Sequence, residues 1–297
     1  MANQNLKSWI CKIATIGRRS AVISCLIATT VFAAEFYYPE QDWQQRSVAE
    51  AGWDQEKLDA ALDFAMSRKS SSIVVVQAGR IIAECHSKLS NPSDRYTAMK
   101  LGATADGHAI EDVASIQKSV VSLLVGVAFD KGLLNLDDSV QKHLGIGWSN
   151  ADKEQEAPIT VRHLMTMTSG LDAKLKFVAD AGTRWAYNTN AYAKSLACLE
   201  AVTGLSANEL TSRWLLNRIG MRDSRWAKRT WLAETGVDAN VSGFATSARD
   251  LARFGLLVLA SGRWQDQFLV SPEYLRSALT SSQQLNPSYG YLWWLNG

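Results

Sequence analysis

Residues 113–130 read VASIQKSVVSLLVGVAFD, and the fold of the chain is interpreted outward from this stretch. From Ser115 to Phe129 the pattern is helical and almost wholly apolar on one side, which predicts a buried helix that Gly132 ends. Ser115 and Lys118 lie three residues apart at its start. On a helix such residues share one face, about 5–6 Å apart at Cβ. The segment therefore predicts a hydroxyl and an amine held together at the start of a buried helix.

This pair has a chemical use. A serine hydroxyl is a weak nucleophile until a nearby base removes its proton. A lysine amine can be that base where burial lowers its pKa towards neutrality, and the apolar residues after Lys118 provide the burial. At the start of a helix, the backbone N–H of Ser115 would also face a developing oxyanion. The pattern therefore indicates nucleophilic catalysis.

A second sequence, Ser139-Val140-Gln141-Lys142, has the same spacing. Its acidic and polar surroundings predict an exposed helix face. The first copy is preferred because apolar residues both precede and follow it. By itself, a Ser-x-x-Lys spacing is far more often structural than catalytic, so the choice depends on the rest of the chain.

Other chemistries find no support in the sequence. It contains no Gly-x-Ser-x-Gly elbow, no His-Glu-x-x-His, no paired Cys-x-x-Cys and no Walker loop. The four histidines are scattered, and His163 is predicted to be a satisfied core or interface residue. We therefore expect no metal and no cofactor. A formal net charge of +2 with no basic stripe predicts no nucleic-acid partner, which leaves a small-molecule or peptide substrate.

Three further segments give the Ser115–Lys118 pair its context. Residues 159–171 read ITVRHLMTMTSGL, residues 182–190 read GTRWAYNTN and residues 242–251 read SGFATSARDL. Together and in this order, they resemble the serine β-lactamase and penicillin-binding-protein superfamily. The most similar branch is the class C-like one, which includes D-alanyl-D-alanine peptidases, esterases and 6-aminohexanoate-dimer hydrolases. The resemblance covers about residues 43–297.

The resemblance implies roles for individual residues. Ser115 would be the acylated nucleophile, Lys118 the amine that activates it, and Tyr187 the phenol that relays a proton to or from the leaving group. The second motif of the family is usually Tyr-x-Asn, whereas here Thr189 occupies the third position. Thr189 and Asn190 are therefore assigned to substrate binding, with the alternative that Asn190 only caps the helix that follows it.

The resemblance also implies a fold. It is of α/β (α+β) type and β-lactamase/transpeptidase-like, with an antiparallel sheet built from the chain ends and a helical lobe inserted between them. The third motif of the family, Lys-Thr-Gly or His-x-Gly, should follow a strand at Tyr289–Leu295. This sequence ends at Gly297, so the last strands and one oxyanion-hole amide are expected to be missing.

Local patterns predict the remaining elements. A helix follows Asp54, and a hairpin joins the apolar runs 73–76 and 81–83 through Ala78-Gly79-Arg80. A long loop is expected from this hairpin to Ser115, with no strand until Tyr289. Further helices are expected after Asp137-Asp138 and Thr160, over 190–204, 206–215 and 247–260, and from Ser271. In the helix over 247–260, Ser247 and Asp250 have capping-box spacing.

Residues 1–33 form a distinct segment. The segment has four cations and no acidic residue. The cations all precede a short apolar run that ends in small residues at Ala33-Ala34. This pattern is typical of a secretory signal peptide, with an uncleaved membrane anchor as the alternative. The expected domain is thus 34–297, periplasmic or secreted, with no stable membrane span. Export would leave Cys85 and Cys198, which could pair or remain separate.

Two functions of different classes follow from these observations. The first is an exported serine hydrolase that forms an acyl-enzyme on a β-lactam, a D-Ala peptide, a carboxylic ester or an amide oligomer. The alternative is a non-catalytic remnant or fragment that acts at most as a binding protein, which the absent third motif favours. Among the tryptophans, Trp148, Trp185 and Trp226 could line a cleft or pack in the core.

Overall fold

The computed structural model describes residues 36–87, 99–229 and 242–296. The predicted signal segment 1–33 lies outside these residues. Within the described ranges, no helix is both long and apolar enough to cross a bilayer.

The first elements match their prediction. Helix α1 (Gln55–Ser67) begins after Asp54, whose carboxylate accepts a hydrogen bond from the Lys57 N–H. Strands β1 (Ser72–Gln77) and β2 (Arg80–His86) form an antiparallel hairpin. In its turn, a Cβ on Gly79 would lie 1.6 Å from the carbonyl oxygen of Tyr37, so the close approach requires glycine.

A four-stranded antiparallel sheet is formed by segments in which no strand was predicted from the sequence. Its order is β3 (Lys100–Ala103), β4 (Ala109–Asp112), β6 (Ser242–Thr246) and β5 (Arg225–Lys228). These strands are only four or five residues long, too short for a clear alternating pattern. The loop predicted between the hairpin and Ser115 is therefore wrong over β3 and β4, and the two-stranded β1–β2 hairpin forms a sheet of its own.

The helices surround one central helix. α2 (Gln117–Asp130) buries eleven of its fourteen residues and packs against α6 (Thr189–Thr203). The helix predicted over 206–215 corresponds to α7 and a π-helical turn at Ser212–Leu216 that continues it, and α8 follows beyond the predicted range. The short helices are α3 (Val140–Leu144), α4 (Lys153–Glu156), α5 (Val161–Met165), α7 (Ala207–Thr211) and α8 (Asn217–Ile219).

The last helices follow their predicted caps. α9 (Ala248–Leu259) begins after Ser247, whose Oγ accepts a hydrogen bond from the Asp250 N–H. The reciprocal half of a capping box is absent, since the Asp250 carboxylate instead accepts hydrogen bonds from the Asp223 N–H and the Ser224 hydroxyl. Then follow the hairpin β7 (Arg263–Trp264), β8 (Gln267–Phe268) and helix α10 (Pro272–Ala278), capped by Ser271.

The segment Tyr289–Leu295 is not the strand that its apolar sequence predicted. It bends back on itself, with a single antiparallel bridge between Tyr289 and Trp294 and a left-handed Leu292 at φ +63°. Its backbone bonds locally and to α5, because the Leu292 N–H donates to the Met165 carbonyl at 2.8 Å. The prediction failed because these contacts satisfy the backbone without a neighbouring strand.

Cys85 and Cys198 are both free thiols. Cys85 lies in β2, whereas Cys198 is buried in α6, where burial raises the pKa of its thiol to about 12. Of the two alternatives left open by the sequence, the structure has the separate cysteines.

Candidate active site

Ser115 and Lys118 are brought into contact at the start of α2. Ser115 lies in a 3₁₀ turn (Ala114–Ile116) that leads directly into the helix, and its side chain is open to solvent. The Nζ of Lys118 lies 3.2 Å from the Oγ of Ser115. The amine is thus within hydrogen-bond distance of an exposed hydroxyl.

Lys118 is only 3% exposed, which is rare for a lysine. It is the second residue of α2, and most residues in the following turns of this helix are also buried. Burial, followed by the positive charge of Arg229, lowers the pKa of the Lys118 amine to about 8. A substantial fraction of this amine is therefore neutral, and able to accept a proton, in mildly alkaline solution.

Two tyrosine rings enclose the amine. Lys118 Nζ lies 4.8 Å from the ring centroid of Tyr187 and 4.3 Å from that of Tyr192. Tyr192 is buried on α6, whereas Tyr187 precedes that helix and is 38% exposed. Tyr187 meets the amine with its ring face, and its hydroxyl forms no hydrogen bond with any residue that the structure describes.

The backbone around Tyr187 is fixed by the segment 159–171. The Ala186 N–H donates to the Met167 carbonyl at 2.9 Å, and the Asn188 side-chain amide donates to the Leu171 carbonyl at 2.9 Å. Met167 itself has a left-handed backbone at φ +60°. Two of the sequence segments that carried the resemblance thus support each other physically.

The two candidate substrate-binding residues, Thr189 and Asn190, have different environments in the structure. Asn188, not Asn190, caps α6: its Oδ1 accepts the N–H groups of Asn190 and Ala191, both at 3.0 Å. The alternative that Asn190 caps this helix is therefore wrong. The side chain of Asn190 donates to the Ala173 carbonyl instead, while Thr189 is the half-buried first residue of the helix.

A buried polar network that the sequence analysis missed lies behind the pair. Gln117 is 1% exposed; its Oε1 accepts hydrogen bonds from Arg229 at 2.8 Å and from the Phe244 N–H at 3.1 Å, and its amide donates to the Tyr192 hydroxyl. Arg229 also forms a two-point ion pair with Asp112. Gln117 stands inside the Ser115–Lys118 sequence and could have been singled out, but its partners are about 75 to 127 residues away.

The other predicted features lie elsewhere. Trp148 and Trp226 are core residues, whereas Trp185 packs edge-on against Trp294 beside Tyr187. His163 is half-buried, and its Nδ1 accepts the Thr160 N–H at 3.1 Å in a capping arrangement. This agrees with the prediction of a satisfied histidine.

In the second Ser-x-x-Lys copy, the hydroxyl and the amine each bond to other residues. The Ser139 hydroxyl donates to the Ala157 carbonyl at 2.8 Å, and Lys142 pairs with Asp138 at 2.7 Å. The side chain of Lys142 is 63% exposed. Its environment is the exposed helix face that its sequence predicted.

Comparisons with known proteins find relatives in sequence and in fold. An uncharacterized protein of Alkalihalophilus pseudofirmus is 25% identical over 62% of this chain, and the match spans 60% of that relative's length. A candidate beta-lactamase from Bacteroides dorei has a similar fold, with a TM-score of 0.64 and 21% identity over 81% of this chain and 79% of that one. A candidate 6-aminohexanoate-dimer hydrolase from Bacillus anthracis gives a TM-score of 0.63 and 16% identity over 88% and 75% of the two chains.

At these identities the solved structures establish the fold alone, a mixed α/β architecture of the β-lactamase/transpeptidase type. The family model described as Beta-lactamase matches residues 58–297, most of the chain and all of the site described above. The chain therefore belongs to the Beta-lactamase family, which is part of a superfamily of hydrolases.

Proposed function

We propose that this protein is a serine hydrolase that acts through an acyl-enzyme formed on Ser115. One observation carries the proposal: an exposed serine hydroxyl lies 3.2 Å from a lysine amine whose pKa is lowered to about 8 by burial and a nearby cation. No carboxylate pairs with Lys118 among the residues that the structure describes. A buried lysine of this kind is costly for the fold, so its place beside the exposed serine favours a catalytic use.

The reaction follows from this arrangement. The neutral amine of Lys118 takes the proton as the Oγ of Ser115 attacks a carbonyl carbon. The resulting oxyanion forms next to the backbone N–H of Ser115 at the start of α2. Collapse of the tetrahedral adduct expels an amine or alcohol, which receives a proton with the help of the Tyr187 hydroxyl. Water then attacks the ester of Ser115 and releases the acid.

The substrate is an amide or an ester. A β-lactam, a D-Ala peptide, a carboxylic ester and an amide oligomer all present the carbonyl that this machinery needs, and fold and motif do not separate them. Thr189, beside Tyr187, is proposed to contact the substrate. Asn190 is proposed to do so only if its bond to the Ala173 carbonyl opens.

The protein is proposed to act outside the cytoplasm, in the periplasm or after secretion. The cation-rich start and short apolar run of residues 1–33 support this location. Sequencing the N-terminus of the protein recovered from its host tests it: a mature chain that begins at Ala34 is expected, and an intact Met1 would contradict export by cleavage.

The test of the acyl-enzyme compares the two Ser-x-x-Lys copies. The full chain, Ser115→Ala and Ser139→Ala are incubated with a penicillin and with an activated acyl ester, and intact masses are recorded. A single acyl adduct is expected on the parent and on Ser139→Ala, and none on Ser115→Ala. The reagent that labels separates lactam from ester chemistry.

Two results would contradict the proposal. An adduct that persists in Ser115→Ala would place the nucleophile elsewhere. A folded parent that shows a thermal transition but no adduct with either reagent would favour the binding remnant over the enzyme.

A further inference from the structure

A buried ion pair lies beneath the Ser115–Lys118 turn. Arg229 and Asp112 form two charge-assisted hydrogen bonds, Nε to Oδ2 at 2.5 Å and an Nη to Oδ1 at 2.9 Å. Their side chains are only 5% and 1% exposed. Because desolvating two charges is expensive, such a pair is weak support for stability alone and prompts the question of what else it does.

One branch of this network reaches the nucleophile through the backbone. The Oδ1 of Asp112 also accepts the N–H of Ala114 at 2.8 Å. Ala114 immediately precedes Ser115 and has φ +47°, a left-handed conformation that is unfavourable for a residue with a side chain. Asp112, held by Arg229, thus stabilises the unusual turn that presents Ser115.

The other branch reaches the lysine. Arg229 donates to the Oε1 of Gln117 at 2.8 Å, and the amide of Gln117 donates to the hydroxyl of Tyr192. The ring of Tyr192 in turn lies 4.3 Å from Lys118 Nζ. One guanidinium therefore restrains both the turn before the nucleophile and the aromatic wall beside the base.

We propose that Arg229 is a positioning residue for acylation, acting through Asp112 on the Ser115 turn and through Gln117 and Tyr192 on the Lys118 amine. This inference rests on the proposed function, since it assigns Arg229 to the same reaction. It treats Arg229 as a residue that acts through others, not as one that touches the substrate.

The charges around Lys118 give the proposal a second readout. The titratable and charged groups packed nearest to the amine are Tyr187, Tyr192, Arg229 and, behind Arg229, Asp112. Arg229 is the cation among them that lowers the pKa of Lys118, after burial. Removal of its charge should raise that pKa, so that a higher pH is needed to deprotonate the amine.

The experiment measures single-turnover acylation of the full chain by p-nitrophenyl acetate from pH 6 to pH 10. Arg229→Lys retains the charge but not the planar fork, and Arg229→Met removes both. Arg225→Met is the matched control, since Arg225 begins the strand β5 that ends just before Arg229, but is exposed and donates to the Leu101 carbonyl. Circular dichroism and thermal melts establish which variants fold.

We expect Arg229→Lys to lower the limiting acylation rate by about 10- to 100-fold, with the pH midpoint unchanged and the ester concentration for half-maximal rate unchanged. Arg229→Met should also move the midpoint to higher pH, and Arg225→Met should match the parent. Folded Arg229 variants with the parent's limiting rate and midpoint would overturn the proposal.

Arg229→Met leaves the Asp112 carboxylate buried without its partner, which could prevent folding. Gln117→Met, which keeps the ion pair and nearly the same volume, then provides the test. It breaks the link to Tyr192 and should also lower the limiting rate, by about 10-fold. A parent-like rate in folded Gln117→Met would refute the lysine branch.

If the parent protein is not acylated at all, the proposed function is contradicted, and the positioning role of Arg229 needs a test that does not depend on acylation. In that case a thiol is placed at position 115 by Ser115→Cys, and its alkylation by iodoacetamide is followed against pH by peptide mass mapping. Above the midpoint, the alkylation rate should differ from that of Ser115→Cys alone when Arg229→Met, but not Arg225→Met, is added, because Asp112 is no longer held by Arg229 against the turn that presents position 115. An unchanged rate would overturn the positioning role independently of catalysis.

Discussion

The chain contains two Ser-x-x-Lys sequences, and they lie in opposite environments. At the first, Lys118 is 3% exposed and lies 3.2 Å from an exposed Ser115. At the second, Lys142 points into solvent and pairs with Asp138, and the Ser139 hydroxyl is engaged by the Ala157 carbonyl. In the first copy, the serine is exposed and the lysine is buried. In the second copy, the lysine is exposed and the serine hydroxyl is hydrogen-bonded to a backbone carbonyl.

The difference shows that spacing supplies only proximity, while surroundings supply reactivity. Both copies are near the start of a helix. Only Lys118 continues into an apolar helix that removes water from its amine, and a nearby cation disfavours the charged form still further. Lys142, in contrast, extends into solvent and donates a hydrogen bond to the Asp138 carboxylate at 2.7 Å.

The largest expected effect separates the two lysines directly. Lys118→Met should lower the rate of acylation by an activated ester by about 10²–10⁴-fold, because the general base is removed. Lys142→Met is the matched control and should acylate at the parent's rate. Single-turnover mass spectrometry measures both. Equal losses in the two variants, or none in Lys118→Met, would show that the buried copy is not the reactive one.

The pH dependence of acylation is expected to be the next largest effect. Since Lys118 is proposed to act as a base in its neutral form, the rate should rise about tenfold per pH unit below the midpoint and level off above it. The pKa of about 8 places that midpoint near pH 8. Ester hydrolysis in Ser115→Ala is subtracted as background. A rate that is constant between pH 6 and pH 8 would contradict the neutral lysine.

The support behind the first copy can be tested through Gly243. A Cβ at this position in β6 would lie 2.2 Å from the Oδ2 of Asp112 and 2.6 Å from the Nε of Arg229. Gly243→Ala should therefore lower the free energy of unfolding by about 1–3 kcal/mol, as measured by urea denaturation. Gly255→Ala, in α9, is the control. A Cβ there would meet no atom within 4 Å, so this substitution should raise the free energy of unfolding by up to about 1 kcal/mol.

Much of this comparison was accessible from the sequence. Apolar periodicity predicted α2, and side-chain caps at Asp54, Thr160 and Ser271 marked where other helices begin. These signals are local, since a cap or an amphipathic face involves residues within one or two turns. The pairing of Ser115 with Lys118 belongs to the same local class, which is why three residues of spacing were enough to predict it.

The features that escaped prediction depend on contacts distant along the chain. The short strands β4 and β6 pair across more than a hundred residues, and neither carries enough alternation to be seen alone. Arg229 meets Asp112 and Gln117 only once that sheet has formed. Conversely, the apolar Tyr289–Leu295 was predicted as a strand because its residue types suit one, whereas its tertiary hydrogen bonds favour a turn.

The smallest expected effect concerns the ion pair of the second copy. Lys142 and Asp138 are one helical turn apart at 2.7 Å, but the lysine side chain is 63% exposed, so solvent and salt screen their attraction. Lys142→Met should lower the free energy of unfolding by no more than about 0.5 kcal/mol in low salt, and the loss should disappear in 1 M sodium chloride. Urea denaturation at both salt concentrations measures it. A loss above about 1 kcal/mol that persists in high salt would contradict a weak, solvent-screened ion pair at Lys142, and exposure would then no longer distinguish the second copy from the buried Lys118 of the first.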